Sequence, residues 1–164
     1  EGEKFIDSRG YFRELYKNNF FKKKKFIFLC MSKSKKNVLR GLHFQKNKQQ
    51  EKFVSVIKGK ILDVVVDLRK NSKTFKKFFK VILSEKNCKA LFIPKGFAHG
   101  FLTLTDDAEV FYKTTNYWNK DSERVLKWDD SEIGIEWPID NLKEGPFLSE
   151  KDTKAISFKS SLIL

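Results

Sequence analysis

The sequence predicts an all-β fold, closed into a barrel or folded as a double sheet. Three observations predict it. Short β-branched and aromatic runs recur along the chain, separated by turn signals. No segment before Asn141 keeps the apolar period of an amphipathic helix. Seventeen residues are Phe, and so many large rings call for the roomy core of a barrel or sandwich. The 164 residues suffice for one well-cored domain and are too few for two, so 1–164 is read as one unit.

In chain order, the apolar run Phe28-Leu29-Cys30-Met31 reads as a buried strand. Lys52–Asp67, continuing to Arg69, reads as two strands split at Lys58-Gly59-Lys60, a hairpin-like break. Phe75–Leu83 and Ala90–Ile93 are further strands, and Pro94-Lys95-Gly96 is a turn. Gly100–Leu104 and Val110–Thr115 flank a polar turn at Thr105-Asp106-Asp107. Asn141–Lys154 is the one short helical segment. No repeat, linker or low-complexity tail is visible.

Charge narrows the function. The net charge of +13 suggests an anionic partner: nucleic acid, a membrane surface or a phosphate-bearing small molecule. The charge is mostly scattered Lys, dense only at Lys22–Lys25 and Lys33–Lys36, where Lys runs suit solvated turns and sheet edges. Five Arg and no recognisable module argue against a nucleic-acid reader. No apolar stretch nears the ~20 residues that span a bilayer. Cys30 and Cys88 have no motif spacing and read as free thiols. With no secretory signal visible, the expected compartment is the cytoplasm.

The two histidines sit in similar settings, Arg40-Gly41-Leu42-His43-Phe44-Gln45 and Gly96-Phe97-Ala98-His99-Gly100-Phe101. A lone histidine is more often structural. Two in matching Gly-bracketed, aromatic settings at strand ends, where a barrel mouth is lined, favour a site. Metal-binding barrels typically use His-x-His, a Glu and a third His. Here His43 is followed by Phe44 and Gln45, so no metal and no other cofactor is expected. No nucleophile elbow, phosphate-cradling loop or dinucleotide fingerprint appears, which leaves proton transfer as the natural chemistry.

These stretches form part of an ordered set. It also contains Asp7-Ser8-Arg9-Gly10-Tyr11-Phe12, Ser32–Gln45, Ile93–Phe101, Tyr112–Tyr117, Ile133–Pro138 and Leu148-Ser149-Glu150-Lys151-Asp152. From about Phe5 to Asp152 the chain resembles the dTDP-4-dehydrorhamnose 3,5-epimerase family. The resemblance implies a cupin-type jelly roll with a short C-terminal helical segment, no metal, and a homodimer whose N-terminal strands, Phe5–Tyr16, are exchanged. It implies His43 as general base, Asp152 as its paired carboxylate, Lys52 beside the substrate's keto oxygen and Tyr112 as acid. It further implies Arg40, Gln45 and Tyr117 as substrate contacts and His99 with Asp63 as a second His–Asp pair. Phe5, Arg9 and Glu14 match nucleotide contacts, some reaching across the dimer.

The residue types suit that chemistry. Loss of a proton beside a ketone makes an enolate, and neutral imidazole is a fitting base near pH 7. Positioned base catalysis gives about 10²–10⁴-fold. An ammonium at the developing oxyanion adds about 3 kcal/mol, by analogy with oxyanion-hole donors. Carbons 3 and 5 both flank a 4-keto group, so one enolising site serves both. The chain departs from the family where Phe28-Leu29-Cys30-Met31 replaces Gln-Asp-Asn-His and where a Tyr-Tyr pair reads Tyr117-Trp118. The usual Gln and Asn contact the nucleotide, and Phe and Cys cannot reproduce an amide's donor and acceptor.

The expected function is thus epimerisation at carbon 3 and/or 5 of a nucleotide-diphosphate 4-keto sugar, in surface polysaccharide synthesis. The sugar nucleotide is either a dTDP-4-keto-6-deoxyhexose or a GDP-4-keto-heptose. Two other readings stand beside it: a 3,4-ketoisomerase on the same barrel, and a catalytically silent sugar-nucleotide binding module. Neither nucleic acid nor membrane is an expected partner.

Overall fold

A computed structural model describes residues 2–21, 24–140 and 142–161. Lys22 and Lys23 of the first Lys run, and Asn141, lie outside them. Among the described residues eleven strands dominate: β1 Lys4–Asp7, β2 Gly10–Arg13, β3 Phe28–Lys35, β4 Leu39–Gln45, β5 Lys52–Lys58, β6 Lys60–Asp67, β7 Phe78–Ser84, β8 Ala90–Ile93, β9 Phe97–Thr103, β10 Asp107–Thr114 and β11 Glu123–Val125. A 3₁₀ turn spans Asn18–Phe21, and two short helices follow the strands, α1 Glu150–Thr153 and α2 Phe158–Ser161. The helical segment is therefore shorter than the expected Asn141–Lys154. Ser149 caps α1, and its hydroxyl accepts from the Asp152 N–H.

The strands form a cupin-type jelly roll. A four-stranded sheet, β3-β10-β5-β8, faces a five-stranded one, β11-β4-β9-β6-β7, and all pairings are antiparallel. The Lys58-Gly59-Lys60 break is not a hairpin: β5 and β6 belong to opposite sheets. Gly59 turns that corner at φ 77°, where a Cβ would stand 2.2 Å from the Asp107 carbonyl oxygen. The β3–β4 and β9–β10 turns also cross between sheets. This crossing stacks the sheets face to face.

Alternation along each strand sorts side chains into layers. Val54, Val56, Ile61, Val65, Phe101 and Val110 fill the space between the sheets. Leu62, Val64, Val66, Ala98 and Leu102 point the other way and are covered by Leu126, Ile133, Ile135, Trp137 and Phe158 from the C-terminal part. Many rings lie outside the barrel. Tyr16, Phe21, Phe26, Phe53 and Phe92 form a stacked and edge-to-face cluster where the N-terminal segment crosses the four-stranded sheet. The lumen stays open to polar groups.

Two expectations for the N-terminal part change. Phe5–Tyr16 is not one strand: β1 and β2 pair as a small hairpin that turns at Ser8 and Arg9. Phe28–Met31 is strand but not a buried run, because β3 is an edge strand with one open face. Leu29 and Met31 are 59% and 58% exposed, while Phe28 and Cys30 turn inward.

Candidate active site

The site occupies inward-facing positions on both sheets. On β4 a strict two-residue period would set Arg40 and His43 on opposite faces. The register shifts between them, so both oppose inward residues of β9, Arg40 against Phe101 and His43 against His99. Glycine makes the shift possible. Gly41 has φ 122°, and a Cβ there would lie 2.5 Å from the Gly100 Cα. The glycines flanking the two histidines thus mark the closest approach of β4 and β9.

His43 Nε2 lies 2.6 Å from Asp152 Oδ1, with Asp152 buried and His43 partly open. Ser149 Oγ donates to Asp152 Oδ2 at 2.8 Å. Burial alone would raise the Asp152 carboxyl. The hydrogen bonds from His43 and Ser149, with the charges of His43 and Lys151, outweigh it and hold Asp152 below the ordinary carboxylate range. An ionised carboxylate only accepts, so Nε2 carries the proton that faces Asp152, and whenever the ring is neutral Nδ1 carries the basic lone pair. Nδ1 has no hydrogen-bond partner among the described residues.

Tyr112 and Lys52 project from the facing sheet. β10 and β5 pair Tyr112 with Val54 and Thr114 with Lys52, placing the two side chains on one face, one step apart. Burial pushes the Tyr112 phenol well above its ordinary value, against the lowering effects of Ser32 and Arg40. The ring therefore stays protonated at neutral pH, and it shares a 2.9 Å hydrogen bond with Ser32 Oγ. Burial pushes the Lys52 ammonium below the usual lysine value, and Asp63, Glu123 and Cys30 counter this by favouring its charge.

His99 Nε2 sits 2.8 Å from Asp63 Oδ2 in the buried interior, and Asp63 Oδ1 has no hydrogen-bond partner among the described residues. The His99 ring meets Tyr112 edge-on at 6.4 Å. Arg40 Nε donates to Ser34 Oγ at 2.8 Å and Nη2 to the Lys33 carbonyl at 3.1 Å. Gln45 is buried with its amide tied up in loops: Nε2 donates to the Lys48 carbonyl and Oε1 accepts from Asn119 N, each at 2.7 Å. It braces the mouth. Tyr117 is exposed at the rim, with its ring against Phe28 at 5.7 Å.

Phe5, Arg9 and Glu14 stand apart. Arg9 bonds Asp7 within the hairpin turn, Phe5 packs on Phe12, and Glu14 pairs with Lys17. No described contact joins them to His43, Lys52 or Tyr112. Sequence reasoning passed over Ser32, Ser34 and Ser149. Small hydroxyls carry little signal alone, but the Ser-x-Ser spacing on β3 is the two-residue period that points both inward. Among the described residues, no three His, Cys, Asp or Glu side chains converge to hold a metal ion. No described helix is long and apolar enough to cross a membrane.

A sequence profile of the dTDP-4-dehydrorhamnose 3,5-epimerase family matches residues 1–160. The chain is 46% identical to the dTDP-4-dehydrorhamnose 3,5-epimerase of Salmonella typhimurium, over 99% of this chain and 91% of that one. It superposes with a TM-score of 0.89 on a dTDP-6-deoxy-D-glucose-3,5-epimerase of Legionella pneumophila solved with dTDP-4-keto-L-rhamnose. Identity there is 40%, covering 94% of this chain and 84% of that one. A 3'-monoepimerase of Streptomyces bikiniensis in complex with dTDP-quinovose, 27% identical, gives 0.90 over 99% of this chain and 83% of that one. With this fold, these side chains and these likenesses, the chain belongs to the dTDP-4-dehydrorhamnose 3,5-epimerase family of sugar-nucleotide isomerases.

Proposed function

We propose that this chain epimerises carbon 3 and/or carbon 5 of a dTDP-4-keto-6-deoxyhexose for surface polysaccharide synthesis in the cytoplasm. One observation carries the reading: a His–carboxylate base projects from one sheet, and a protonated phenol beside an ammonium projects from the facing sheet. A sugar ring between the sheets meets a base on one face and an acid on the other. His43 removes the proton, Lys52 steadies the enolate oxygen, and Tyr112 protonates the opposite face. Asp152 holds the His43 tautomer and balances the imidazolium. Likeness to both 3,5-epimerases and a 3'-monoepimerase supports either one centre or two.

The test is solvent exchange. In D₂O, a dTDP-4-keto-6-deoxyhexose should gain deuterium beside the keto carbon as the epimer forms. A panel of 4-keto sugar nucleotides showing no wash-in would remove the epimerase reading and leave a silent binding module.

A specific observation keeps a second nucleotide in play. Phe28 and Cys30 turn inward on β3 and offer no amide. A GDP-linked 4-keto-heptose is the alternative substrate. Comparing kcat/KM for dTDP and GDP forms of one 4-keto sugar decides it: a clear dTDP preference would show that these positions do not set base choice.

A further inference from the structure

A cavity of about 460 Å³ opens at the barrel end where the β4–β5, β6–β7 and β8–β9 loops meet, within the size range of small-molecule sites. Lys52 forms part of its wall, but Arg40, His43, Tyr112 and Asp152 do not. Phe44 and Gln45, which follow His43 on β4, line it as well. Each loop adds cations: Lys46 from the first, Arg69 and Lys70 from the second, Lys95 from the third. No carboxylate lines it among the described residues.

We propose that this cavity binds a phosphate-bearing small molecule, at a place separate from the substrate's own diphosphate. That separation rests on the function proposed above. Lys46, Lys70 and Lys95 are exposed and make no ion pair among the described residues, so three like charges converge with no counter-charge supplied by the chain. Arg69, by contrast, is fixed. Its Nε donates to Asp67 Oδ1 at 2.8 Å and its Nη2 to Oδ2 at 2.7 Å, while the guanidinium lies 4.7 Å from the Phe97 ring centre. Ser72 and Thr74 hydroxyls each donate to Asp67 Oδ2 at 2.6 Å and hold that carboxylate in place. Nη1 of Arg69 has no acceptor among the described residues. A pre-ordered guanidinium among adaptable ammoniums is a fitting phosphate receptor. Phe44 and Phe97 add apolar wall for an organic portion.

The test is calorimetric titration of the intact chain with inorganic pyrophosphate and, separately, glucose 1-phosphate. Saturating dTDP is present in both to fill the substrate's phosphate positions. Binding should persist in the wild type. Tighter binding of glucose 1-phosphate would identify an organic ligand that uses the Phe walls, and tighter binding of pyrophosphate a free inorganic one. The Lys70→Glu/Lys95→Glu variant should weaken binding by about tenfold or more, as expected for reversed charges at close range. Its kcat and KM for the sugar nucleotide should stay within about twofold, because charge reversal at an exposed rim leaves the buried reacting groups in place. Three results would overturn the proposal: no binding to the wild type beside dTDP, equal binding by the variant, or a KM rising in step with the lost binding. The last would make the cavity the substrate's own subsite. The titration needs no turnover, so an absence of epimerase activity would count against the function and not against this site.

Discussion

Asp152 shows how one residue's environment sets its role. Its carboxyl is held below the ordinary range, so its support for His43 is complete above the usual carboxylate pKa and is lost as pH falls through the depressed value. Ser149 contributes to that depression through its 2.8 Å hydrogen bond. In Ser149→Ala the Asp152 pKa should rise, as read from the pH titration of its carboxyl carbon by NMR. kcat should drop by about tenfold, the size of one hydrogen bond to a charged group. Ser149→Thr should restore both, since Thr keeps the hydroxyl and the cap. An unshifted Asp152 titration in Ser149→Ala would remove Ser149 from the base's support. At this scale His43, Asp152, Lys52 and Tyr112 were legible only as members of an ordered motif set. The serines that hold Asp152, Tyr112 and Arg40 were not, because their meaning depends on which face they share with a titratable partner.

Among the elements, crossings mattered more than strands. The β-branched runs at 52–58 and 60–67 were readable, but a tight glycine break looks the same whether it closes a hairpin or turns a corner between sheets. Pairing partners are tertiary facts: β5 lies between β10 and β8, and β6 between β9 and β7. The burial of Phe28–Met31 was misread for a related reason. Four apolar residues in a row suggest a strand covered on both faces, yet β3 is an edge whose outer face is open. The corner can be tested. Gly59→Ala places a Cβ at positive φ against the Asp107 carbonyl, so it should cost about 2 kcal/mol or more. Tm should fall by roughly 4–8 °C for a chain of this size. A Tm within about 1 °C of wild type would show that the corner tolerates a side chain.

At the scale of the whole molecule, the N-terminal hairpin and the outer face of β3 leave apolar surface open, as do Phe20, Phe79, Tyr117, Trp118 and Phe147 elsewhere. Phe5, Ile6, Tyr11 and Phe12 of the hairpin and Leu29 and Met31 of β3 are all more than half exposed. Arg13 anchors the hairpin's end on the four-stranded sheet, donating to the Val56 carbonyl at 2.7 Å and to Ser55 Oγ at 3.0 Å. We propose that a second copy covers this surface and that the exchanged hairpins bring Phe5, Arg9 and Glu14 to the partner's substrate. Removing residues 1–9 should then raise the substrate KM or break the dimer in sedimentation. A fully active monomer after that truncation would rule the exchange out. The net charge of +13 hinted at an anionic partner without naming one, because scattered Lys gives a field rather than a shaped site.

The division of the site between facing sheets makes the central claim testable in one comparison: deuterium wash-in and epimerisation, followed together in D₂O for His43→Ala and Tyr112→Phe. His43→Ala should lose both, since no base remains. Tyr112→Phe should lose epimerisation and keep measurable wash-in, because His43 still removes a proton and returns one to the same face. A Tyr112→Phe variant as devoid of wash-in as His43→Ala would contradict the assignment of base to one sheet and acid to the other.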